Sequence, residues 1–164
     1  MKAIGSVTLP LAREIHQVAI VVKDMWKTVQ VYHEVLGWGP WNIYVCKPPR
    51  HTDTVVRGRL VHFTMQLAET QVGPVFFEVI EPLEGLSIYR EFLEQKGEGL
   101  HHIACFNVDD LTGMLETFKR ANVQVLMSGK IDGVRYCYMD TQPILKLIFE
   151  TGDAGPATPD STYP

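Results

Sequence analysis

The chain has 164 residues, which is enough for one domain or for two small modules that share a core. Its apolar fraction of 46% and charged fraction of 21% exclude a largely disordered protein. The net charge of −4 argues against a nucleic-acid partner. No apolar run reaches the roughly 20 residues of a membrane span. The three cysteines are widely spaced, so we expect free thiols in a reducing, cytoplasmic compartment.

The first element in chain order is a β-branched run at residues 14–22, which predicts a strand. Asp24 then stands in position to cap the N-terminus of a helix over residues 25–36. Gly37 follows as a residue that readily takes the left-handed conformation at a helix end. The sequence therefore begins with a strand, a cap, a helix and a stop.

The same order of elements recurs later in the chain. A strand is predicted at residues 100–108, Asp109 is the expected cap, a helix follows over residues 111–121, and Asn122 ends it. A constant offset of 85 positions separates Ala19 from Ala104, Asp24 from Asp109 and Gly37 from Asn122. An offset that persists through four features predicts a duplicated unit.

Several strand-like runs follow each helix, so each half is predicted to be β-α-β-β-β. The runs lie at residues 41–45, 60–67 and 75–80 in the first half, and at 123–127, 134–139 and 145–150 in the second. We expect a first module over residues 13–84, a linker helix over 85–98 and a second module over 99–151. Residues 152–164 are rich in Pro, Gly, Ser and Thr and are expected to form a mobile tail.

Two of the predicted strands carry a carboxylate inside an apolar run. Glu78 lies within VFFEVI and Glu150 ends LKLIFE, on the last strand of each half. A carboxylate among apolar strand residues is costly unless it is paired, hydrogen-bonded or bound to a metal. A lone glutamate of this kind is usually an edge residue that points at water, but two at equivalent places in a repeat favour a shared role.

The first strand of each half supplies two further polar side chains. The 85-residue offset pairs Gln17 with His102, and each shares a strand face with an alanine two residues on. The same offset pairs His16 with His101, which we expect on the opposite face as hydrogen-bonded or half-exposed histidines. Together Gln17, Glu78, His102 and Glu150 suit a six-coordinate divalent ion with up to two open positions. A cysteine-rich structural zinc site is excluded by composition.

Alternation within residues 61–67 separates apolar odd positions from polar even positions. We expect the odd face to pack under the helices and the even face, which carries His62, to look into solvent or a cavity. Trp38, Trp41 and Tyr138 are candidates for an apolar pocket, although core packing is the commoner role of such aromatic residues. If the tryptophans face the cavity, they favour an aromatic or bulky apolar substrate.

Two stretches, FEVIEPLEG at 77–85 and FLEQKGEGLHHIACFNVDD at 92–110, resemble the vicinal oxygen chelate superfamily, and its epimerase branch most closely. That superfamily includes glyoxalase I, methylmalonyl-CoA epimerase, extradiol dioxygenases and drug-resistance proteins. The resemblance implies an α+β fold of two tandem βαβββ modules whose curved mixed sheets form a cup around one metal, within a homodimer. It places the metal ligands at Gln17, Glu78, His102 and Glu150, with Zn, Ni, Co, Mn or Fe as the ion.

The chemistry that suits such a site is removal of a proton next to a carbonyl, with a metal-stabilised enolate as the intermediate. We therefore expect a divalent-metal-dependent isomerase, epimerase or lyase that acts on a small carbonyl substrate. Family members suggest Glu150 as the base, and His62 is a candidate for a second acid or base. The alternatives are a ring-cleaving iron dioxygenase, which normally uses two histidines and one carboxylate, and a metal-free binding protein of the resistance type.

Overall fold

The structure is a computed structural model, and it describes residues 12–106, 110–153, 155 and 157–164. In those residues the chain forms one mixed sheet of eleven strands with four helices. In chain order the elements are β1 (Gln17–Val21), α1 (Met25–Leu36), β2 (Trp41–Cys46), β3 (His51–Val56), β4 (Arg59–Leu60), β5 (Thr64–Val72), β6 (Val75–Glu84), α2 (Ile88–Lys96), β7 (Gly99–Phe106), α3 (Leu111–Arg120), β8 (Val125–Ile131), β9 (Val134–Met139), α4 (Gln142–Leu145), β10 (Ile148–Gly152) and β11 (Ser161–Tyr163). None of the described helices has the length and apolar composition to cross a membrane.

The two predicted modules have the same internal strand order. The first runs β2-β5-β6-β1 and the second runs β8-β9-β10-β7, and the modules join where β1 pairs antiparallel with β7. Across that seam Gln17 lies opposite Ala104 and Ala19 lies opposite His102, so positions 85 residues apart exchange places as in a local two-fold arrangement. The duplicated βαβββ unit predicted from the sequence is confirmed.

The helix ends show how local sequence sets the elements. The Asp24 side chain accepts a hydrogen bond from the backbone N–H of Lys27 at 2.9 Å, and Gly37 ends α1 with φ of 68°. Asn122 also takes a positive φ, as predicted for the second helix stop. The cap of α3 is Asp110, which accepts from the N–H of Gly113 at 2.8 Å, rather than the predicted Asp109, which lies outside the described residues.

A hairpin that the sequence did not predict closes the sheet on itself. Strands β3 and β4 belong to the first module, yet β3 pairs with β8 of the second. Eight interstrand spacings separate β2 from β3, which would span about 38 Å in a flat sheet. Residues 47–50 join these strands and reach at most about 18 Å. The sheet therefore curls until its two ends approach each other, which creates a cup.

The outer face of the curled sheet is covered by α1 and α3. Met25 and Val29 of α1 pack on Trp41, Ala68 and Val79 of the first module. On the second module, Met114 of α3 packs in the same way with Cys105 and Phe149. Each helix thus buries its apolar stripe against the outer face, which leaves the inner face free to build a cavity.

The inner face is apolar too, which reverses one prediction about strand faces. Met65 and Leu67, the odd positions expected under the helices, instead cluster inside the cup with Tyr44 and Tyr138. The neighbouring even position, Ala68, is the one that packs under α1. The alternation was correctly identified, but the sides were exchanged because the cavity itself is lined by apolar groups.

Several strand boundaries differ from the predicted ones. Strand β5 begins at Thr64 rather than residue 60, so His62 falls in the connection that precedes it. Strand β8 runs from Val125 to Ile131, later than the predicted 123–127. Leu145 ends the short helix α4, and β10 begins at Ile148. Each shift moves a boundary by a few residues and leaves the order of the elements unchanged.

The C-terminal segment, expected as a mobile tail, is tied to the body by β11, which pairs antiparallel with β2. Just before β11, Asp160 accepts hydrogen bonds from the backbone N–H of Val45 at 2.7 Å and from Arg50 at 2.8 Å. The same Arg50 also donates to Asp132 at 3.0 Å. Arg50 thus links the β8–β9 turn to the C-terminal segment across the two ends of the sheet.

Replacing Asp160 by alanine should lower the free energy of unfolding by about 1 kcal/mol, because a backbone N–H and an arginine both lose a charged acceptor. Because the ion pair of Asp160 and Arg50 is open to solvent, the loss of unfolding free energy should not exceed this value. Urea denaturation measures it. Glu116→Ala is the matched control, since Glu116 forms only an exposed ion pair with Lys119 on α3. Equal effects of the two variants would contradict the proposed anchoring role of Asp160.

Candidate metal centre

The inside of the cup contains a cavity of about 380 Å³. Its wall is mainly aromatic and apolar, with several carboxylates among those groups. The lining includes Gln17, Tyr44, Cys46, Met65, Leu67, Glu69, Phe76, Glu78, Tyr89, Phe106, Tyr136, Tyr138 and Glu150, together with Arg135 and Asp153. A concave apolar pocket of this size that contains a few polar groups is typical of a small-molecule site.

The four residues predicted as metal ligands come from four neighbouring strands at the centre of the sheet. Gln17 lies on β1, Glu78 on β6, His102 on β7 and Glu150 on β10, and these strands are adjacent in the order β6-β1-β7-β10. Glu78 pairs beside Ala19 and Glu150 pairs beside Ala104, so the two glutamates occupy equivalent places in the repeat. The fold itself places their side chains on one inner surface.

All four side chains are buried, and His102 is the most deeply placed at 1% exposure. His102 Nε2 lies 2.9 Å from Glu150 Oε2 and 3.8 Å from Glu78 Oε2. The first contact does not have hydrogen-bond geometry, so both His102 Nε2 and Glu150 Oε2 are buried polar atoms without a hydrogen-bond partner. Such atoms are rare in folded proteins, and binding of a ligand is one reason for their presence.

A divalent cation explains the contact better than a hydrogen bond does. Two neighbouring ligands of an octahedral ion, each about 2.1 Å from it, lie about 3 Å apart with their lone pairs turned to a common point. In the described part of the chain no three His, Cys, Asp or Glu side chains form a complete metal-binding group as they stand. The fourth donor would be the amide of Gln17. In donor chemistry and burial the quartet therefore fits a divalent ion, with some adjustment of the side chains.

The electrostatics of Glu78 agree with that interpretation. Burial raises the pKa of Glu78 well above its usual value, and the nearby carboxylates of Glu150 and Glu69 raise it further. A hydrogen bond with the Gln17 side chain acts in the opposite direction. Several acidic groups thus crowd one buried region, and a positive ion there would relieve their mutual repulsion.

The histidine that precedes Gln17 plays a different part. His16 is partly exposed, and its Nδ1 accepts a hydrogen bond from the backbone N–H of Phe106 at 3.2 Å. This is the hydrogen-bonded, half-exposed histidine predicted for that position. His101 is also hydrogen-bonded, since its Nδ1 lies 2.9 Å from the Nδ1 of His102, but it is buried at 4% exposure and not on the opposite face as predicted.

Two of the predicted pocket residues and one predicted acid or base lie away from the cavity. Trp38 and Trp41 pack with α1 on the outer face of the sheet, where Trp41 is fully buried. His62 is exposed in the connection before β5 and is not part of the cavity wall, so we assign it no role. Tyr138 does line the cavity. The tryptophans were misplaced because an aromatic run gives no indication of which face of the sheet it occupies.

Glu69 is a cavity residue that sequence reasoning missed. It lies directly opposite Glu78 in the β5–β6 ladder and accepts a hydrogen bond from the Tyr44 hydroxyl at 2.9 Å. Burial raises the pKa of Glu69 above the usual value, and the Tyr44 hydrogen bond partly offsets that rise. The signal that could have found it is strand parity, because residue 69 shares a face with Met65 and Leu67 and lines the cavity with them.

The raised pKa of Glu69 makes wild-type stability depend on pH. Because folding holds the Glu69 proton to a higher pH, stability falls as pH rises from the ordinary carboxyl pKa through the raised folded value. A glutamine carries no such proton, so the melting temperature of Glu69→Gln relative to wild type should increase with pH in chelator-treated protein. Thermal melts at pH 4.5, 6 and 8 measure this. The control is Glu94→Gln on the exposed side of α2, and a gap that is constant with pH would contradict the prediction.

A second polar pair lies on the β9 side of the cavity. Tyr136 lines the cavity, and its hydroxyl lies 2.7 Å from Nε2 of the buried His51 on β3. Gly129 of β8 makes this possible, because a Cβ at that position would lie 2.5 Å from the Tyr136 hydroxyl. Cys46 also lines the cavity, but burial raises the pKa of its thiol to about 12, which makes it a poor nucleophile at neutral pH.

Comparison with known proteins defines the class to which this fold and site belong. Residues 16–138 match the family model of the Glyoxalase/Bleomycin resistance protein/Dioxygenase superfamily, and the chain belongs to that superfamily. This confirms the resemblance inferred from the sequence and the fold of paired βαβββ modules.

Particular relatives are more distant. An uncharacterized protein of Bacillus subtilis (strain 168), YqjC, is 38% identical over 76 residues, which cover 46% of this chain and 50% of that protein. The chain thus matches about half the length of this curated relative. Methylmalonyl-CoA epimerase from Mycobacterium tuberculosis superposes with a TM-score of 0.65 at 18% identity, over 93% of this chain and 95% of that one. A Streptomyces coelicolor methylmalonyl-CoA epimerase in complex with 2-nitronate-propionyl-CoA gives 0.60 at 19% identity, over 92% and 99%. At these identities the structural similarities establish the fold alone.

Proposed function

We propose that the protein is a divalent-metal-dependent isomerase, epimerase or lyase that removes a proton next to a substrate carbonyl. The observation that carries this proposal is the contact of His102 Nε2 with Glu150 Oε2, two buried atoms without hydrogen-bond partners at the centre of the sheet. Gln17, Glu78, His102 and Glu150 would hold the ion. When bound, a divalent cation supplies electrostatic stabilisation of negative charge on a substrate oxygen.

Glu150 is the residue that we propose as the base. Its carboxylate lines the cavity, and its Oε2 accepts no hydrogen bond from another described group, so it could take the α-proton once the carboxylate loosens from the ion. Opposite Glu150 in the β9–β10 ladder is Tyr138, whose hydroxyl accepts a hydrogen bond from the Tyr89 hydroxyl at 2.7 Å. These buried hydroxyls would bind a substrate oxygen near Glu150 and hold the reacting carbon in reach of the carboxylate.

The cavity favours a compact substrate with an apolar body. Six aromatic side chains surround it, namely Tyr44, Phe76, Tyr89, Phe106, Tyr136 and Tyr138. They support the bulky or aromatic substrate predicted from the tryptophans, although other residues provide the aromatic wall. Arg135 lies at the wall as well, half exposed and paired with Asp153 at 3.1 Å. A volume of about 380 Å³ accommodates an acyl group or a single-ring compound.

Exchange of α-protons with solvent tests the proposal directly. The metal-loaded protein is incubated in heavy water with a panel of methylmalonyl-CoA, a glutathione hemithioacetal and aryl-substituted 2-hydroxy ketones, and exchange is followed by proton NMR. We expect exchange of at least one compound by wild type and none by His102→Ala. Exchange at equal rates in both proteins, or in chelator-treated wild type, would contradict the proposal. Oxygen uptake with a catechol and ferrous iron instead of exchange would favour the dioxygenase.

Gln17→Ala should weaken divalent-ion binding more than His16→Ala does. Gln17 faces the cavity and hydrogen-bonds to Glu78, whereas His16 is not among the cavity-lining residues and accepts from a backbone N–H. We expect about a tenfold or greater loss for Gln17→Ala and no measurable change for His16→Ala, by chelator competition with Zn²⁺. The reverse order would mean that β1 presents its other face to the site.

Two further properties stay predictions, the first implied by the superfamily resemblance and the second by the cysteines. One is assembly as a homodimer, which light scattering of the purified protein would detect. The other is a cytoplasmic location, which agrees with three buried free thiols, Cys46, Cys105 and Cys137. Neither property is needed for the chemistry proposed above.

A further inference from the structure

Strand β7 contains an irregularity immediately before the proposed ligand His102. Along the β1–β7 ladder Ala19 pairs with His102, but the next residue, Ile20, pairs with Leu100. His101 is therefore an extra residue without a partner in β1, which is a β-bulge. A bulge turns side chains away from the strict alternation of a strand, so that two successive residues can lie on the same side.

The bulge brings the His101 side chain inside the cup, although alternation predicts that it points outward. Its ring lies among Tyr89, Phe92 and Tyr138, with ring centroids 5.2, 5.1 and 6.2 Å away. Its Nδ1 approaches the Nδ1 of His102 to 2.9 Å, a distance at which one nitrogen must donate a hydrogen to the other. The two imidazoles therefore fix each other's tautomers.

The surroundings of His102 decide which nitrogen donates. A hydrogen on His102 Nε2 would have no acceptor in line with it, because the 2.9 Å contact with Glu150 lacks hydrogen-bond geometry. A hydrogen on His102 Nδ1 has an acceptor in His101 Nδ1, and His101 then carries its own hydrogen on Nε2, which is buried without a full hydrogen bond. With a cation between His102 Nε2 and the two glutamates, this tautomer also leaves the Nε2 lone pair free for the ion.

We infer that His101 is a positioning residue for the metal centre: it accepts the Nδ1 hydrogen of His102 and so holds that imidazole in the tautomer and orientation that can bind a cation through Nε2. This inference rests on the proposed metal site. Partners of this kind orient the imidazole ligand and raise its basicity. Their loss typically weakens metal binding by about 10- to 100-fold.

The other module lacks this arrangement, for a chemical reason. The residue 85 positions before His101 is His16, which lies immediately before β1 and accepts a hydrogen bond from the backbone N–H of Phe106. Its neighbour Gln17 is an amide, which has no tautomer to select. The buried histidine partner occurs beside the imidazole ligand and not beside the amide one.

The test measures the Zn²⁺ affinity of the wild-type chain and of three histidine variants by competition with a chelator. His101→Phe keeps a ring of similar size among Tyr89, Phe92 and Tyr138 but removes the acceptor. His101→Asn restores an acceptor oxygen near the position of Nδ1. We expect His101→Phe to bind Zn²⁺ about 10- to 100-fold more weakly, and His101→Asn to recover most of that loss. His16→Phe is the matched control and should bind as wild type does.

A second measurement separates this inference from the proposed function. Nitrogen-15 NMR of the metal-free protein reports the His102 tautomer, which should carry hydrogen on Nδ1 in wild type and become mixed in His101→Phe. If wild type bound no Zn²⁺, the proposed function would fail. The His102 tautomer measured by NMR would still show whether His101 orients the His102 ring. A folded His101→Phe with wild-type affinity, or a wild-type His102 with hydrogen on Nε2, would overturn the inference.

Discussion

Purified wild-type protein should contain about one divalent ion per chain, and Glu78→Ala and His102→Ala should each contain almost none after dialysis. Each variant removes one of the donor atoms that converge at the centre of the sheet. We expect Glu78→Ala to stay folded, because burial and two nearby carboxylates raise the pKa of Glu78 and disfavour its charged form, and circular dichroism of the variant checks this. Elemental analysis of the dialysed proteins gives the result.

Matched controls make the metal measurement specific. Glu69→Gln alters the carboxylate that pairs directly opposite Glu78, and His16→Ala removes a histidine from the same region of the seam. Both should retain the ion. If the controls lose it to the same extent, or if Glu78→Ala and His102→Ala keep it, the ion is bound elsewhere or by general electrostatic attraction.

Trp41→Ala should destabilise the protein by about 3–5 kcal/mol while leaving the metal content per folded chain unchanged. Trp41 is fully buried on the outer face, packs against Tyr32 and Phe77, and donates through Nε1 to the Trp38 carbonyl at 2.9 Å. Its removal leaves a large void under α1. Urea denaturation measures the change in the free energy of unfolding.

The control for Trp41→Ala is Trp26→Ala. Trp26 is 40% exposed and makes an edge contact with Tyr163, so its loss should cost about 1 kcal/mol. A Trp41→Ala protein with wild-type stability but altered α-proton exchange would show that Trp41 acts in the cavity, as the sequence had suggested, and not in the core.

The convergence of the four candidate ligands could be predicted because it depends on a repeat. The 85-residue offset between Gln17 and His102, and the equivalent positions of Glu78 and Glu150, follow from local patterns that the chain carries twice. Strand alternation then places each side chain on a face. These features need only short-range information and a count of residues.

What could not be predicted depends on partners that are distant in sequence. The pairing of β3 with β8 brings His51 to Tyr136, across 85 residues of chain, and no local pattern specifies that contact. The bulge at His101 interrupts the alternation on which the prediction relied. The C-terminal strand β11 was missed for the same kind of reason, because a segment rich in Pro and Thr is ordered by Arg50, far away in the sequence.

The most direct test of the central claim is a crystal structure of the protein loaded with Zn²⁺, with anomalous diffraction data collected at the zinc edge. The account predicts one strong anomalous peak within bonding distance, about 2.0–2.2 Å, of Gln17, Glu78, His102 and Glu150, facing the cavity. A peak bound by other residues would contradict it. Crystals of Zn²⁺-saturated protein in which these four side chains bind no ion would contradict it as well.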